Sequence, residues 1–138
     1  MALRLNPYLH FDSNAREALE AYHDIFGGEL TLSRFGDFGD PDAPEADLIM
    51  HGMLQTPDGF TLMGADTPPG MEFHPGRAVT ISLSGDDAET LRGFWQRLVD
   101  GGTVEVELAP QMWGDEFGQC VDRFGVSWLV DIAGSNQA

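Results

Sequence analysis

Residues 15–28, AREALEAYHDIFGG, decide the fold, because residues 88–102, AETLRGFWQRLVDGG, repeat their pattern. The apolar positions Ala15, Ala18, Tyr22, Ile25 and Phe26 recur 73 positions later as Ala88, Leu91, Trp95, Leu98 and Val99, and each copy runs into a double glycine. This is the spacing of one apolar helix face, ended by residues that stop a helix. Working outward, a period-two run precedes each helix, Leu5 to Phe11 and Val79 to Leu83. Further alternating runs follow each double glycine, so each half reads strand, helix, three strands. Two such halves predict an α+β domain of two βαβββ modules about a pseudo-two-fold axis, with a groove between their sheets. The boundaries are residues 4–65 for the first module, 66–76 for a linker with three prolines and two glycines, and 77–133 for the second module.

In the first strand, Leu5, Pro7, Leu9 and Phe11 share the face expected to meet the helix, and Asn6, Tyr8 and His10 share the other. Asp12-Ser13-Asn14 offers caps for a helix starting at Asn14 or Ala15, and Asp86 or Asp87 does so in the second half. One extra residue between strand and cap there makes Phe11 match Leu83 at an offset of 72. Glu29 to Phe35 reads as the second strand and Gly36 to Ala46 as a mobile acidic loop that edges a site. Asp47 to Gln55 and Phe60 to Ala65 flank the hairpin signal Thr56-Pro57-Asp58-Gly59. Phe117 to Asp122 and Val126 to Ile132 repeat that hairpin around Gly125, and the tail from Gly134 to Ala138 reads as frayed.

Length and composition fit one globular domain of 138 residues with a core of its own. No apolar run is long enough for a bilayer, and the start Met1-Ala2-Leu3-Arg4 lacks the regions of a signal peptide, so a cytoplasmic location is expected. The formal charge of −16, from 23 acidic residues against seven arginines and no lysine, argues against nucleic acid and anionic membranes as partners. Cys120 is the single cysteine. Its alternating setting reads as a buried strand thiol in preference to a nucleophile.

Six short motifs, in order, carry a resemblance. They are Pro7-Tyr8-Leu9-x-Phe11, Phe26-Gly27-Gly28, Met50-His51-Gly52, Leu62-Met63-Gly64-Ala65-Asp66, Trp113-Gly114-Asp115-x-Phe117-Gly118 and Asp122-Arg123-Phe124-Gly125-Val126-x-Trp128. Together they resemble the PhnB-like branch of the vicinal oxygen chelate superfamily, which includes glyoxalases, bleomycin resistance proteins and extradiol dioxygenases. The resemblance covers Leu5 to Ile132 and implies modules that each form an open cup, usually in a homodimer. Members of the branch are often labelled 3-demethylubiquinone methyltransferases. The chain has no Gly-rich turn between strand and helix of the kind nucleotide-type cofactors need, and the aspartates of Gly36-Asp37-Phe38-Gly39-Asp40 would repel a phosphate.

In metal-using members of the superfamily, His and Glu ligands project into the cup from the first and last strands of each module. Here the first strands offer Asn6, Tyr8 and His10 against Ala78, Thr80 and Ser82. The last strands offer either Thr61, Met63 and Ala65 against Ser127, Leu129 and Asp131, or Phe60, Leu62 and Gly64 against Val126, Trp128 and Val130. Neither parity yields a His/Glu quartet. The expectation is therefore no metal and no other cofactor; a divalent ion through His10 or His51 is the alternative. The ligand-binding candidates are Tyr8, His10, His51, Met53, Met63, Thr80, Ser82 and Trp113, a mixture suited to a small organic molecule. Trp113 either closes over a bound ring or anchors its loop, and Met71 and Phe73 of the linker cover the cup or a dimer partner. Trp95 and Trp128 read as core, and His23 and His74 as solvent-side groups without a role. Asp115 and Glu116 read as a solvated acidic loop, with a carboxylate base as the alternative. The expected function is binding of a small organic molecule without the usual metal ligands; the alternatives are a metal-dependent glyoxalase- or dioxygenase-type enzyme and an antibiotic-sequestering protein.

Overall fold

The structure is a computed structural model that describes residues 3–74, 76 and 78–134. The expected fraying of the tail lies outside the described residues from 135 on. The chain divides into two compact units at residue 76. The first runs β1 (Tyr8–Phe11), α1 (Ala15–Phe26), β2 (Glu29–Arg34), β3 (Ile49–Gln55) and β4 (Thr61–Asp66). The second runs β5 (Ile81–Gly85), α2 (Ala88–Val99), β6 (Thr103–Pro110), β7 (Glu116–Val121) and β8 (Ser127–Ile132). Each unit holds one four-stranded sheet, ordered β1-β4-β3-β2 and β5-β8-β7-β6. In both, the first strand lies parallel to the last and the other pairs are antiparallel. The two βαβββ modules expected from the repeat are therefore both present.

The helices bury most of the positions that the repeat singled out, with Leu19 in addition; Ile25, Ala88 and Val99 are only half-buried. In α1 the buried residues are Ala15, Ala18, Leu19, Tyr22 and Phe26; in α2 they are Leu91, Trp95 and Leu98. Each helix lies on one face of its own sheet, over a strand glycine. A Cβ on Gly52 of β3 would sit 2.4 Å from Leu19 Cδ1, and one on Gly118 of β7 would sit 2.8 Å from Trp95 Cη2. Leu54, Trp128 and Val130 complete the buried faces, with Trp128 at 0% exposure. Trp128 Nε1 donates to Asp122 Oδ2 at 2.8 Å, and Asp122 Oδ1 accepts from Phe124 N and Val126 N, so one carboxylate closes the β7–β8 turn.

Three expectations need correction. β1 starts at Tyr8 and not at Leu5, which is 97% exposed. The ladder reaches Pro7, whose carbonyl accepts from Met63 N at 3.1 Å, but a proline has no N–H to return a bond and the strand stops there. β5 likewise starts at Ile81, leaving Val79 exposed. The offset of 72 also shifts by one pair. Tyr8 pairs with Met63 and Ser82 with Leu129, and Met63 and Leu129 occupy the same place in their hairpins, so Ser82 and Ser84 are the counterparts of Tyr8 and His10.

The third correction concerns the start of α1. Ser13 adopts a left-handed φ of 72°, Asn14 takes φ −123° and ψ 22°, and the Asn14 side chain makes no capping bond. The cap comes from Asp66, the last residue of β4. Its Oδ1 accepts from Ala15 N at 2.9 Å and its Oδ2 from Ile49 N at 2.8 Å, at 2% exposure. One buried carboxylate therefore ties the N-terminus of α1 to the start of β3. In the second unit, Ile132 stands at the position equivalent to Asp66, and α2 uses the local cap, with Asp87 accepting from Thr90 N and Thr90 Oγ1.

Candidate functional site

The alternation that turns Phe11, Gly52, Leu54 and Leu62 toward α1 turns their neighbours to the opposite face of the first sheet. Tyr8 pairs with Met63, Met63 with Met53 and Met53 with Thr31, which makes one row across all four strands. His10, paired with Ala65, and His51, paired with Ser33, continue the face. Five of the eight candidate residues thus share one surface. Tyr8 is its hub. Its Oη lies 3.1 Å from His51 Nδ1, its ring stacks on His51 at 5.7 Å between centroids, and the His10 ring stands 5.4 Å away. Burial pushes the Tyr8 phenol above its ordinary value, so it stays a hydroxyl at neutral pH. Where the phenol donates to His51 Nδ1, the imidazole carries its proton on Nε2.

Beside this hub lies a cavity of about 450 Å³ lined by Tyr8, His10, Phe35, Met50, Ala65, Asp66, Thr67, Pro68, Met71, Glu72 and His74. Met53 and Met63 share the sheet face but do not line the cavity, and His51 touches it through Tyr8. The linker forms one wall. Thr67 N and Oγ1 both donate to Phe11 O, and a turn from Pro68 to Met71 folds the chain back, so that Met71, though 67% exposed, lines the cavity. His74, a group to which the sequence assigns no role, lines the cavity with its Nε2 3.6 Å from Glu72. Phe35, Met50 and Glu72 are lining residues that the sequence did not mark. Phe35 belongs to the 3-10 turn Phe35–Asp37, whose ends are tied down by Gly36 N to Ala46 O and by Arg34 gripping Asp37 and Asp47. None of the residues Gly36 to Ala46 lines this cavity; the acidic loop adjoins it only through Phe35, and it is anchored at both ends. Gly36-Asp37 is spent on that anchor.

The other three candidates belong to the second unit. Thr80 Oγ1 and Ser127 Oγ stand 2.8 Å apart, Ser82 pairs with Leu129, and Trp113 is 58% exposed with its ring edge-on to Phe117 at 6.1 Å. Trp95 and Trp128 are core, as expected. Cys120 is fully buried and its thiol is pushed up to about 11, first by burial and then by the charges of Asp122 and Glu105, so it is a packing residue. His23 is half-buried and bonds Gly28 O at 2.9 Å, bracing the end of α1.

Asp115 and Glu116 are not a solvated loop. Glu116 opens β7 and pairs with Arg92 of α2; Asp115 is 8% exposed and accepts from Gly134 N. The carboxyl of Asp115 also bonds that of Asp131 on β8. Burial, then that hydrogen bond, then the Asp115 charge, hold Asp131 above its ordinary value, and Asp131 Oδ1 has no partner among the described residues. The folded chain therefore keeps a proton that the unfolded chain gives up. The stability gained from it is full below the unfolded pKa and is lost as pH rises through the raised value. Asp131→Asn supplies a donor that does not ionise. After discounting for solvent screening, it is expected to stabilise by about 0.5–1 kcal/mol at pH 7, roughly 2–4 °C in Tm, with the gain vanishing near pH 4. Thermal melts across that range check the sign.

Comparison with known proteins supplies the family. A family model described as 3-demethylubiquinone-9 3-methyltransferase matches residues 4–131. The chain belongs to this PhnB-like family. Its fold is that of the glyoxalase/bleomycin resistance/dioxygenase superfamily. The crystal structure of protein PA1353 from Pseudomonas aeruginosa is similar at a TM-score of 0.86 and 36% identity, covering 96% of this chain and 98% of that one. A Bacillus cereus PhnB protein, described as a putative 3-demethylubiquinone-9 3-methyltransferase, shares the fold at a TM-score of 0.75 and 22% identity, covering 95% of this chain and all of that one. Protein YjdN of Escherichia coli K12 is 28% identical over 141 residues, or 93% of this PhnB-like chain and 94% of YjdN.

Proposed function

We propose that this PhnB-like protein binds a small organic molecule with a ring or other flat apolar part, in the cavity beside Tyr8, without a metal ion. The observation that carries the reading is the Tyr8 hub. A phenol hydrogen-bonded to His51 and flanked by His10 opens onto about 450 Å³ walled by Phe35, Met50 and Met71. Such a wall offers aromatic and thioether surface to a flat group, and His10 and His74 supply the few polar contacts that orient it. The cavity's lining does not include Thr80, Ser82 or Trp113, which we propose as ligand contacts of the second unit taken by itself. We also place the protein in the cytoplasm and as a homodimer, on its composition and its family. No helix of the described residues is long and apolar enough to cross a membrane.

Support for a metal-free site comes from the donors. A firmly held divalent ion needs three or four. Both oxygens of Asp66 are taken by backbone N–H groups on the α1 side, and His51 Nδ1 is engaged by Tyr8. Among the described residues no three His, Cys, Asp or Glu side chains gather where they could hold an ion. These occupied donors support the metal-free reading.

The test is a thermal-shift screen of a metabolite library against chelator-treated protein, with and without added divalent ions. A ligand at a hundredfold excess over its Kd stabilises by about 2.7 kcal/mol. A hit is expected without metal, weakened at least tenfold by His10→Ala and by Tyr8→Ala, each about the loss of one strong contact. A hit that needs the ion, or that both variants bind unchanged, overturns the reading.

A further inference from the structure

The first sheet has a second depression at the end that carries the β3–β4 turn. It measures about 400 Å³, is lined by Arg4, Asn6, Gln55, Thr56, Phe60 and Thr61 among others, and shares no residue with the aromatic cavity. Its position follows from the register. The last ladder bond, Met63 N to Pro7 O, sends residues 4–6 past the start of β4, where Thr61 pairs with Gln55. One short stretch therefore presents an amide, a hydroxyl and a second amide, and Arg4 is the only charged side chain in the lining.

That charge is unspent. Arg16 is paired with Glu20, Arg34 with Asp37 and Asp47, and Arg92 with Glu116. Arg4 forms no ion pair among the described residues, in a chain with 23 carboxylates. A guanidinium is a planar fork matched to an oxyanion, and neutral donors beside it complete such a site without adding charge. We propose that this cleft binds the carboxylate of a small molecule. Arg4 takes the two oxygens, Asn6, Gln55 and Thr61 donate around them, and Leu5 and Phe60 receive the apolar body. Two carboxylates set the charge limit. Glu29 stands opposite Gln55 in β2, and Asp58 sits in the adjoining turn. Their repulsion favours a single negative charge over a phosphate dianion.

The site uses none of the aromatic cavity's residues, so either assignment can fail without the other. The experiment follows the side-chain amides of Asn6 and Gln55 by NMR while ¹⁵N-labelled full-length protein is titrated with benzoate, inorganic phosphate or chloride at constant ionic strength. Benzoate is expected to shift both amides saturably, phosphate more weakly and chloride not at all. Arg4→Gln, a change at an exposed position, is expected to weaken benzoate about tenfold, the worth of one charge-assisted hydrogen-bond pair, while Arg123→Gln leaves it unchanged. Phosphate binding tighter than benzoate, shifts shared equally by chloride, or an Arg4→Gln protein that binds benzoate as well as its parent would each overturn the proposal.

Discussion

Asp66→Ala is expected to cost the first unit about 4 kcal/mol. The side chain is 2% exposed and accepts from two backbone N–H groups, Ala15 N and Ile49 N. Truncation strands both donors out of water, at about 1–3 kcal/mol each, and removes a negative charge from the positive end of α1. Asp66→Asn keeps one acceptor oxygen and is expected to lose about half as much. Urea denaturation of both variants beside the parent measures this directly. An alanine variant within about 1 kcal/mol of the parent would mean that the carboxylate is replaceable by water, contrary to its burial.

Gly28→Ala is expected to be as damaging, at about 3–5 kcal/mol, for a different reason. The residue has φ +96°, where a side chain is strained, and a Cβ there would lie 2.1 Å from Gln55 O and 2.7 Å from Thr56 Cα. Both obstacles are backbone, so no rotamer change relieves them; the turn after α1 would have to lift off β3. Gly59 provides the control. It has φ +90° with nothing within 4 Å of the place a methyl group would take, so Gly59→Ala carries only the conformational cost of about 1 kcal/mol. Similar losses in the two variants would show that the close approach is not what selects glycine at position 28.

These two positions also mark where the sequence is readable. The double glycine is visible as a helix stop, because a stop depends on neighbours in the chain; that Gly28 must also clear Gln55 depends on a contact across the fold. The same division holds for the caps. Asp87 reaches Thr90 three residues on and is among the expected caps, whereas Asp66 reaches Ala15 across 51 positions and reads locally as the first residue of a linker. The helices and the face bearing Tyr8, His10, His51, Met53 and Met63 follow from periodicity, which survives folding. Strand ends do not, because Pro7 ends its ladder only by lacking an N–H against a partner more than fifty residues away. The cavity is half legible. Its strand residues alternate, but Phe35, Glu72 and His74 come from segments without a period, and only the turn after Pro68 brings the latter two to the wall. Asp115 looks solvated in the sequence because nothing local reveals that Asp131 and Gly134 close over it.

The contrast between the two helix starts bears on how the chain acquires its shape as it leaves the ribosome. α2 carries its own cap and can begin to wind as soon as Thr90 has emerged. α1 borrows its cap from the far end of its sheet, so its first turn stays loose until Asp66 clears the exit tunnel, 51 residues behind Ala15. The half made first is thus the one that must wait for its own closing strand, while the half made second can start from its helix.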